Sequence, residues 1–453
     1  MSLSRRTVFG GLAATGALAL SPVAAHAATT RATVAASVEA RRTIALRGRP
    51  AAEAERLRMQ TVYRTTDFVP TGFYLAPGTP LTLEVRGTAR PTLYVGAADT
   101  NPDRTYRYPR AYPLTAGRST VTDPGGGPVY LALTGGVADR AVVRIGDSAV
   151  PSPTFVAGLP GWERSAPSWG ERATTEAAFQ QQVDTLTGSP FVELISPQMI
   201  LTIRRETFLQ VRDQDHHLLM DLLEQVEDQE AAISGLDGSS PLHAPTPLGR
   251  HLINVLPGYG PVSTAYATHA YTAYYDPYTT TRLLVPEKIR TSGWGVYHEF
   301  GHQHQQMAWR PGELTEVTVN IYSLAAQRYF GMPSNLVVNN AYQTAFAKFP
   351  ITSYAGLTAF EKLVPFRQLE LAYGDDFYPR VHRLVREEQT PPGASGDSGR
   401  RFSNLAVLFS RVAGHDLTGF LRAWAMPVPE SGYAEVAALG LPQPAVDLAR
   451  LSE

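Results

Sequence analysis

WGVYHEFGH, residues Trp294 to His302, is the stretch of sequence that decides how the fold of this chain is interpreted. His298 and His302 are four residues apart, so on an α-helix their imidazoles lie on one face and can reach one ion. Glu299 follows His298 directly and points toward the side of that face. From there its carboxylate can act as a general base on water next to a metal ion rather than as a ligand.

The chain contains no cysteine. Disulfides, thiolate ligands and a cysteine nucleophile are therefore excluded, and any metal must be held by His, Asp or Glu. Zinc suits two imidazoles and a carboxylate, and it makes water acidic enough to supply hydroxide near neutral pH. The sequence predicts one Zn²⁺, with His298 and His302 as ligands and Glu299 as the catalytic carboxylate.

The third ligand is expected on a second helix, beyond the turn formed by Trp309–Gly312. Glu316 is favoured and Glu313 is the competing candidate. Glu316 has an apolar stripe beside it, so we expect it to enter the edge of the core, where a carboxylate needs a partner such as a metal. The stripe consists of Val317, Ile321 and Leu324.

Four neighbouring residues also have to be interpreted. Gln305 shares the face of the two histidines, so it orients a ligand, contacts substrate, or simply packs. Asn320 lies one turn after Glu316 and is either a group that orients a ligand or a plain surface amide. His304 points away from the site and is expected to pack or to face solvent. Ser292 is expected to be the N-cap of the histidine helix.

The pattern HEFGHQHQ (His298–Gln305), followed by Trp309 and then by EVTVN (Glu316–Asn320), resembles the M60 (enhancin-like) zinc metallopeptidases. Their motif is HExGHxxQ, followed by a ligand Glu in an EVTxN context. The resemblance assigns His298, His302 and Glu316 as zinc ligands and Glu299 as the catalytic carboxylate. Gly301 and Gln305 match the remaining positions of the motif.

The likeness extends over most of the mature chain, although it is looser outside residues 298–320. Pro190–Ile195 and Met199–Ile203 resemble the opening of such a catalytic domain. Pro70–Tyr74 resembles the β-domain that often precedes it, and Phe420–Trp424 resembles the helical end. The resemblance implies protein substrates, in particular glycoproteins and mucin-type O-glycosylated proteins, because some members cut next to O-glycosylated Ser or Thr.

The predicted fold class is α+β and multidomain: an N-terminal β-sandwich, then a mixed, mainly helical zincin-type peptidase domain. Alternation of Leu81, Leu83 and Val85 with polar residues indicates a half-buried strand. The predicted boundaries are 28–50 for a linker or short first helix and 51–146 for the sandwich. Residues 146–160 are expected to link the domains, and 160–453 to form the catalytic domain with a helical C-terminal part.

Residues 1–27 are interpreted as a twin-arginine signal peptide. Arg5 and Arg6 stand ahead of an apolar stretch, and Ala25-His26-Ala27 is a small-x-small cleavage site. An uncleaved membrane anchor is the alternative, but the apolar run is shorter than the roughly 20 residues that a span needs. The mature protein is therefore expected to be secreted or extracytoplasmic, without stable membrane insertion.

The composition, and the rejection of one misleading motif, further restrict the possible functions. A formal net charge of -1 provides no general basic surface for nucleic acid. Gly396-Asp397-Ser398-Gly399 resembles a serine-protease segment but lies in a Pro/Gly/Ser loop, where no His is expected to hold the serine. Three hypotheses remain: a zinc peptidase of glycoproteins, a zinc endopeptidase without glycan dependence, and a non-catalytic glycan- or cell-surface-binding protein. A donor that stabilises the oxyanion is expected in the tyrosine-rich stretch between Tyr259 and Tyr278, where the candidates are Tyr271, Tyr274, Tyr275 and His269, although tyrosines in such runs are more often structural.

Overall fold

The computed structural model describes residues 22–161, 173–260, 264–389 and 397–453. An N-terminal domain of antiparallel sheets precedes a mixed, mainly helical domain, which confirms the predicted fold class. The N-terminal domain has two sheets around one shared apolar core, in the orders β1-β8-β3-β6 and β5-β4-β7-β2-β9. Their strands are β1 (Thr43–Arg47), β2 (Val69–Leu75), β3 (Pro80–Arg86), β4 (Thr92–Val95), β5 (Arg110–Pro113), β6 (Gly117–Thr122), β7 (Gly127–Ala132), β8 (Arg140–Ile145) and β9 (Val150–Pro151).

Of the two interpretations of residues 28–50, the first helix agrees with the structure and the linker does not. Helix α1 (Pro22–Arg41) buries Val34 and Val38 against the sandwich core, and β1 pairs with β8 along its whole length. The strand forms because Ile44 and Leu46 alternate with exposed residues and fill that core. Residues 1–21 of the predicted signal peptide lie outside the described residues, and α1 runs through the expected cleavage position after Ala27.

Residues 146–160 do more than link the domains. β9 completes the second sandwich sheet, and β10 (Thr154–Val156) already belongs to the sheet of the following domain, where it pairs in parallel with β11 (Phe191–Ile195). The apolar side chains of Phe155 and Val156 are buried there, which explains why the chain joins the sheet at this point. The second domain therefore begins before residue 160.

The second domain is built on a six-stranded mixed sheet in the order β10-β11-β12-β13-β15-β14, with β14 at one edge. The sheet packs against the long amphipathic helix α5 and against the histidine helix α7. The remaining strands are β12 (Met199–Arg204), β13 (Arg250–Asn254), β14 (Ala265–Thr268) and β15 (Tyr271–Tyr274). The helices that follow α1 are α2 (Ala52–Met59), α3 (Glu176–Thr185), α4 (Arg205–Phe208), α5 (His216–Ile233), α6 (Pro286–Ser292), α7 (Trp294–His302), α8 (Thr315–Thr318), α9 (Asn320–Tyr329), α10 (Asn335–Val338), α11 (Ala341–Phe346), α12 (Ala359–Tyr373), α13 (Phe377–Glu388), α14 (Ser398–Ala413), α15 (Thr418–Ala423) and α16 (Glu430–Ala437).

The two domains are tied together by buried polar contacts. Asp99 of the N-terminal domain is fully buried and accepts hydrogen bonds from the hydroxyls of Tyr266 in β14 and Tyr271 in β15, and from the Arg107 guanidinium. These bonds fix the edge of the catalytic sheet to the sandwich. Within the described residues, no helix is long and apolar enough to cross a membrane.

Candidate metal centre

Helix α7 carries the histidine pair, and it begins one residue later than the sequence suggested. Ser292 is the last residue of α6, and Gly293 occupies the N-cap position of α7. The Ser292 hydroxyl donates back to the carbonyl of Lys288, so it is not available to the N–H groups of α7. The predicted Ser292 cap is therefore wrong.

Gly301 allows α7 to lie unusually close to the helix pair α8–α9. A Cβ at Gly301 would lie 2.9 Å from the backbone oxygen of Val319 and 3.1 Å from the ring of Tyr322. The first distance is shorter than real Cβ contacts allow, so only glycine fits without a shift of backbone. This close approach brings Glu316 and Asn320 to the histidine face of α7.

The structure brings His298, His302 and Glu316 together. One ligand atom from each of the three lies within 4.8 Å of the others. The Nε2 atom of His298 is 2.9 Å from Glu316 Oε2, and the Nε2 atom of His302 is 3.4 Å from the same oxygen. The two imidazole rings are perpendicular, with centroids 4.7 Å apart.

The opposite nitrogen of each imidazole is occupied by a side-chain amide. His298 Nδ1 lies 2.8 Å from Asn320 Oδ1, and His302 Nδ1 lies 2.9 Å from Gln305 Oε1. Each amide nitrogen donates to an oxygen elsewhere, for instance Asn320 Nδ2 to the Glu316 carbonyl at 2.8 Å. The amide oxygens therefore face the rings, and each Nδ1 carries its hydrogen. In the neutral imidazoles both Nε2 lone pairs therefore face Glu316 and can bind a cation, whereas a protonated imidazole donates from Nε2 to that carboxylate.

Three electron-pair donors that converge in this way fit a divalent cation. The charges of the ligand residues also suit a cation. Hydrogen bonds to His298 and His302 hold the pKa of Glu316 well below its ordinary value. Burial lowers the pKa of His298, but the Glu316 hydrogen bond and the Glu299 charge outweigh it and raise the pKa overall.

Glu316 itself is 67% exposed, so the expectation that it enters the core edge is wrong. It approaches the histidines from the solvent side.

Glu299 lies beside these groups and is only 7% exposed. Burial raises the pKa of its carboxyl group, against the opposing effect of His298 and His302. The backbone N–H of Ala267, in the edge strand β14, is close enough to the carboxyl group to lower its pKa slightly. Its Oε2 atom is buried and has no hydrogen-bond partner among the described residues. A buried carboxylate oxygen without a partner is poised to take up a proton.

The supporting residues have clear places. Gln305 is 1% exposed and accepts a hydrogen bond from His302, and Asn320 is 5% exposed and accepts one from His298. Both side chains therefore orient an imidazole, and Asn320 is not a surface amide. Because Gln305 is buried, it is not accessible to substrate. His304 points away, as expected, and is buried against Ser234 and Arg250. The rival ligand Glu313 accepts a hydrogen bond from Ser398 and is not part of the metal cluster.

The serine-protease resemblance has no structural support in the part that is described. Ser398 is the first residue of α14 and Asp397 is its N-cap; Gly396 lies outside the described residues. The Ser398 hydroxyl donates to Glu313 rather than to a histidine. A helix N-terminus explains the Asp-Ser pair without catalysis.

Sequence reasoning missed the polar groups that border the centre. The Tyr63 ring packs edge-on to His302, with centroids 6.3 Å apart, and the Arg310 charge acts on both Tyr63 and Glu316. Tyr63 comes from the segment between the sandwich strands β1 and β2, and no local motif marks it. Tyr278 packs over Gly295 of α7, a contact that only a glycine permits.

Two known protein families match this chain, and the matched regions correspond to its two domains. The profile of "Peptidase M60, enhancin and enhancin-like" matches residues 164–425, and that of "N-terminal domain of M60-like peptidases" matches residues 50–145. The chain belongs to the M60 peptidase family. Membership implies a metal ion and protein substrates, in agreement with the cluster of His298, His302 and Glu316.

Individual relatives of this M60 chain differ in what is known of them. A functionally unknown conserved protein from Bacillus anthracis str. Ames has 26% identity and a TM-score of 0.80, covering 91% of this chain and 81% of that one. A metallopeptidase in complex with Tn antigen has 16% identity and a TM-score of 0.72, covering 90% and 79%, so it shows the shared fold alone.

The curated relatives are longer proteins. A TRPM8 channel-associated factor homolog of Xenopus laevis is 23% identical over 390 residues, which are 82% of this chain and 39% of that protein. The M60 chain therefore spans well under half the length of this relative.

Proposed function

We propose that this M60 protein is a zinc endopeptidase in which His298, His302 and Glu316 hold the ion and Glu299 is the general base. The convergence of two Nε2 atoms on one Glu316 oxygen, with both Nδ1 atoms engaged by amides, is the observation that supports it. With each Nδ1 engaged by an amide oxygen, the two neutral imidazoles offer their Nε2 lone pairs beside the Glu316 carboxylate, which is a ligand set for a divalent cation.

The residues of the chain have separate tasks in this proposal. A bound zinc would supply a Lewis acid that polarises the substrate carbonyl and acidifies water. Glu299 takes a proton from the attacking water at its unpartnered Oε2 and returns that proton to the leaving amine. Its burial supports this role, because a raised pKa brings the carboxyl group closer to the range in which it both accepts and releases a proton.

The edge strand β14 gives the substrate a place to lie. It is the last strand of the six-stranded sheet, and the backbone N–H of its Ala267 lies near the Glu299 carboxylate. An extended peptide can add to such an edge through main-chain hydrogen bonds. This pairing would place the scissile bond next to Glu299 in a defined register.

The central test compares metal content and cleavage in matched variants. We expect His298→Ala to lose the zinc, and Glu299→Gln to retain it but lose at least about 1000-fold in kcat. Glu313→Gln is the control, since this carboxylate lies nearby but outside the cluster, and it should behave like the wild type. Undiminished proteolysis by Glu299→Gln would contradict the proposed role of Glu299 as the general base.

We propose O-glycosylated proteins as the substrate class. The support is the family and the metallopeptidase of the same fold that is known in complex with Tn antigen. Bovine fetuin, before and after enzymatic removal of its O-glycans, tests the proposal. Faster cleavage of the glycosylated form is expected; equal rates on both forms would instead favour the zinc endopeptidase without glycan dependence.

A non-catalytic binding role is the second candidate, because longer relatives bear the name of channel-associated factors. The buried, unpartnered Glu299 oxygen argues for catalysis, since a binding protein has no use for it. Zinc-loaded protein that binds fetuin but leaves it intact would favour the binding role.

We also propose export through the twin-arginine signal at residues 1–27, which the Arg5-Arg6 pair supports. Replacing both arginines by lysine should keep the protein inside the cell. N-terminal sequencing of exported protein should begin after Ala27, and an intact N-terminus on exported protein would contradict the cleavage site.

A further inference from the structure

A segment from the N-terminal part of the chain, Gln60–Thr66, crosses the catalytic domain next to the candidate metal centre. We call it the crossing segment. Its backbone is tied at several points: Val62 N–H donates to the Gln305 carbonyl at 2.8 Å, and Arg64 N–H donates to the His269 carbonyl at 3.0 Å. Isolated bridges at Thr61 and Thr66 extend the pairing. The segment is therefore fixed relative to the centre.

Tyr63 is at the middle of the crossing segment. Val62 is bound to Gln305, the residue that orients His302, so the position of Tyr63 is set by the same group that sets the histidine. The Tyr63 ring packs edge-on to His302 and is half-buried. Its hydroxyl forms no hydrogen bond with any residue in the described ranges. A polar group held rigidly at a reaction centre and left without a partner is available to substrate.

Arg310 reinforces this side of the centre. Its Nη1 donates to the Thr315 hydroxyl at 2.6 Å, and its charge acts on Tyr63 and on Glu316. Its Nε is buried and has no partner among the described residues. Arg310 thus contributes a positive charge on the Tyr63 side of the centre.

The other tyrosines near the centre are less suitable. The hydroxyls of Tyr271 and Tyr275 are engaged by Asp99 and by the Gly260 N–H, and Tyr274 is fully buried. Tyr278 is half-buried, but it packs on Gly295, one helical turn before Glu299 and therefore on the side of the base. Tyr63 instead contacts His302.

We propose that Tyr63 donates a hydrogen bond to the carbonyl oxygen of the scissile peptide bond, so that the crossing segment completes the active site. The water oxygen adds to the carbonyl carbon while Glu299 takes its proton. The C=O electron pair moves onto oxygen, where the Tyr63 hydrogen bond stabilises the negative charge without transfer of the phenol proton. The C–N bond then breaks, and Glu299 returns the proton to the amine.

This inference rests on the proposed peptidase function, and its test separates the two. Full-length zinc-loaded protein is compared with Tyr63→Phe, Tyr278→Phe and the distant control Tyr329→Phe, whose hydroxyl contacts Gln225. Zinc content, kcat and KM on fetuin are measured for each. The affinities for N-phosphoryl-Leu-Trp, which carries tetrahedral oxygens, and for the product-like dipeptide Leu-Trp are measured by calorimetry.

We expect Tyr63→Phe to keep its zinc and its KM, to lose about 100-fold in kcat, and to lose a similar factor in affinity for the phosphoryl dipeptide alone. A purely structural role would instead alter zinc content or the binding of both dipeptides. Unchanged kcat and phosphoryl affinity in Tyr63→Phe, or the loss appearing in Tyr278→Phe instead, would overturn the assignment while leaving the peptidase intact. A wild type that neither cleaves fetuin nor binds the phosphoryl dipeptide overturns the proposed function itself.

Discussion

Gly301→Ala probes the close contact between α7 and the α8–α9 pair. The new methyl group would lie 2.9 Å from the Val319 carbonyl oxygen and 3.1 Å from both the Tyr322 ring and a Val319 methyl group. Because the first contact is to backbone, the helices must move apart by a few tenths of an ångström. Such overpacking costs about 1–3 kcal/mol, and the better helix propensity of alanine returns up to about 1 kcal/mol.

The expected result is a loss of about 1 kcal/mol in the free energy of unfolding of the apo protein, together with weaker zinc binding. Zinc affinity should fall about tenfold or more, because Glu316 and its partner Asn320 lie on the helices that are pushed away. Urea denaturation gives the first quantity, and competition with a fluorescent chelator gives the second.

Gly419→Ala is the matched control. Gly419 lies exposed in α15, and nothing lies within 4 Å of the position that a methyl group would take there, so the same substitution should be neutral or slightly stabilising. If Gly301→Ala binds zinc as tightly as the wild type and unfolds at the same urea concentration, the close helix contact does not position the ligands and the reasoning fails.

Three further predictions follow. Asn320→Ala should weaken zinc binding about 10- to 100-fold by releasing His298 Nδ1, which chelator competition measures; unchanged affinity would contradict that role. Burial raises the pKa of Glu193 to about 7, so between pH 4 and pH 7 the folded state keeps a proton that the unfolded state loses. The free energy of unfolding should therefore fall by roughly 2–3 kcal/mol as the pH rises from about 4 to 7. Urea titrations of Glu193→Gln should show a flatter dependence on pH. Asp99→Ala should cost about 3 kcal/mol in unfolding free energy and lower kcat, because β14 loses the Tyr266 anchor; an unchanged urea midpoint would refute it.

The residues of the metal centre could be found from sequence because their chemistry is tied to helical spacing. His298 and His302 share a face by periodicity alone, and a nearby Glu on the next helix completes a common ligand set. The direction from which Glu316 approaches could not be found in this way. It is exposed because α8 is a single turn that ends at Thr318, so the carboxylate reaches the histidines from outside the apolar stripe.

Boundaries were harder to place than elements. The strand of Leu81, Leu83 and Val85 was predictable because one face of it is buried, but β1 and β10 are short and pair with strands far away in sequence. Their alanine- and proline-rich surroundings suggested linkers. Pairing partners, rather than local composition, decide whether such segments are ordered. The Ser292 cap failed for a similar reason, since α6 extends through it.

Two groups from the N-terminal part of the chain, Tyr63 and Asp99, were not predicted from the sequence, and both bear on the proposed active site. Tyr63 contacts His302 from the crossing segment, and Asp99 accepts a hydrogen bond from the hydroxyl of Tyr266, whose neighbour Ala267 in β14 lies near the Glu299 carboxylate. Each connection is a tertiary contact with no signature in local sequence. Glu299, the proposed general base, is thus linked to the sandwich through two successive residues of one edge strand, and we expect a shift of the sandwich to move that strand. On this proposal the N-terminal domain forms one wall of the active site and is more than an accessory module.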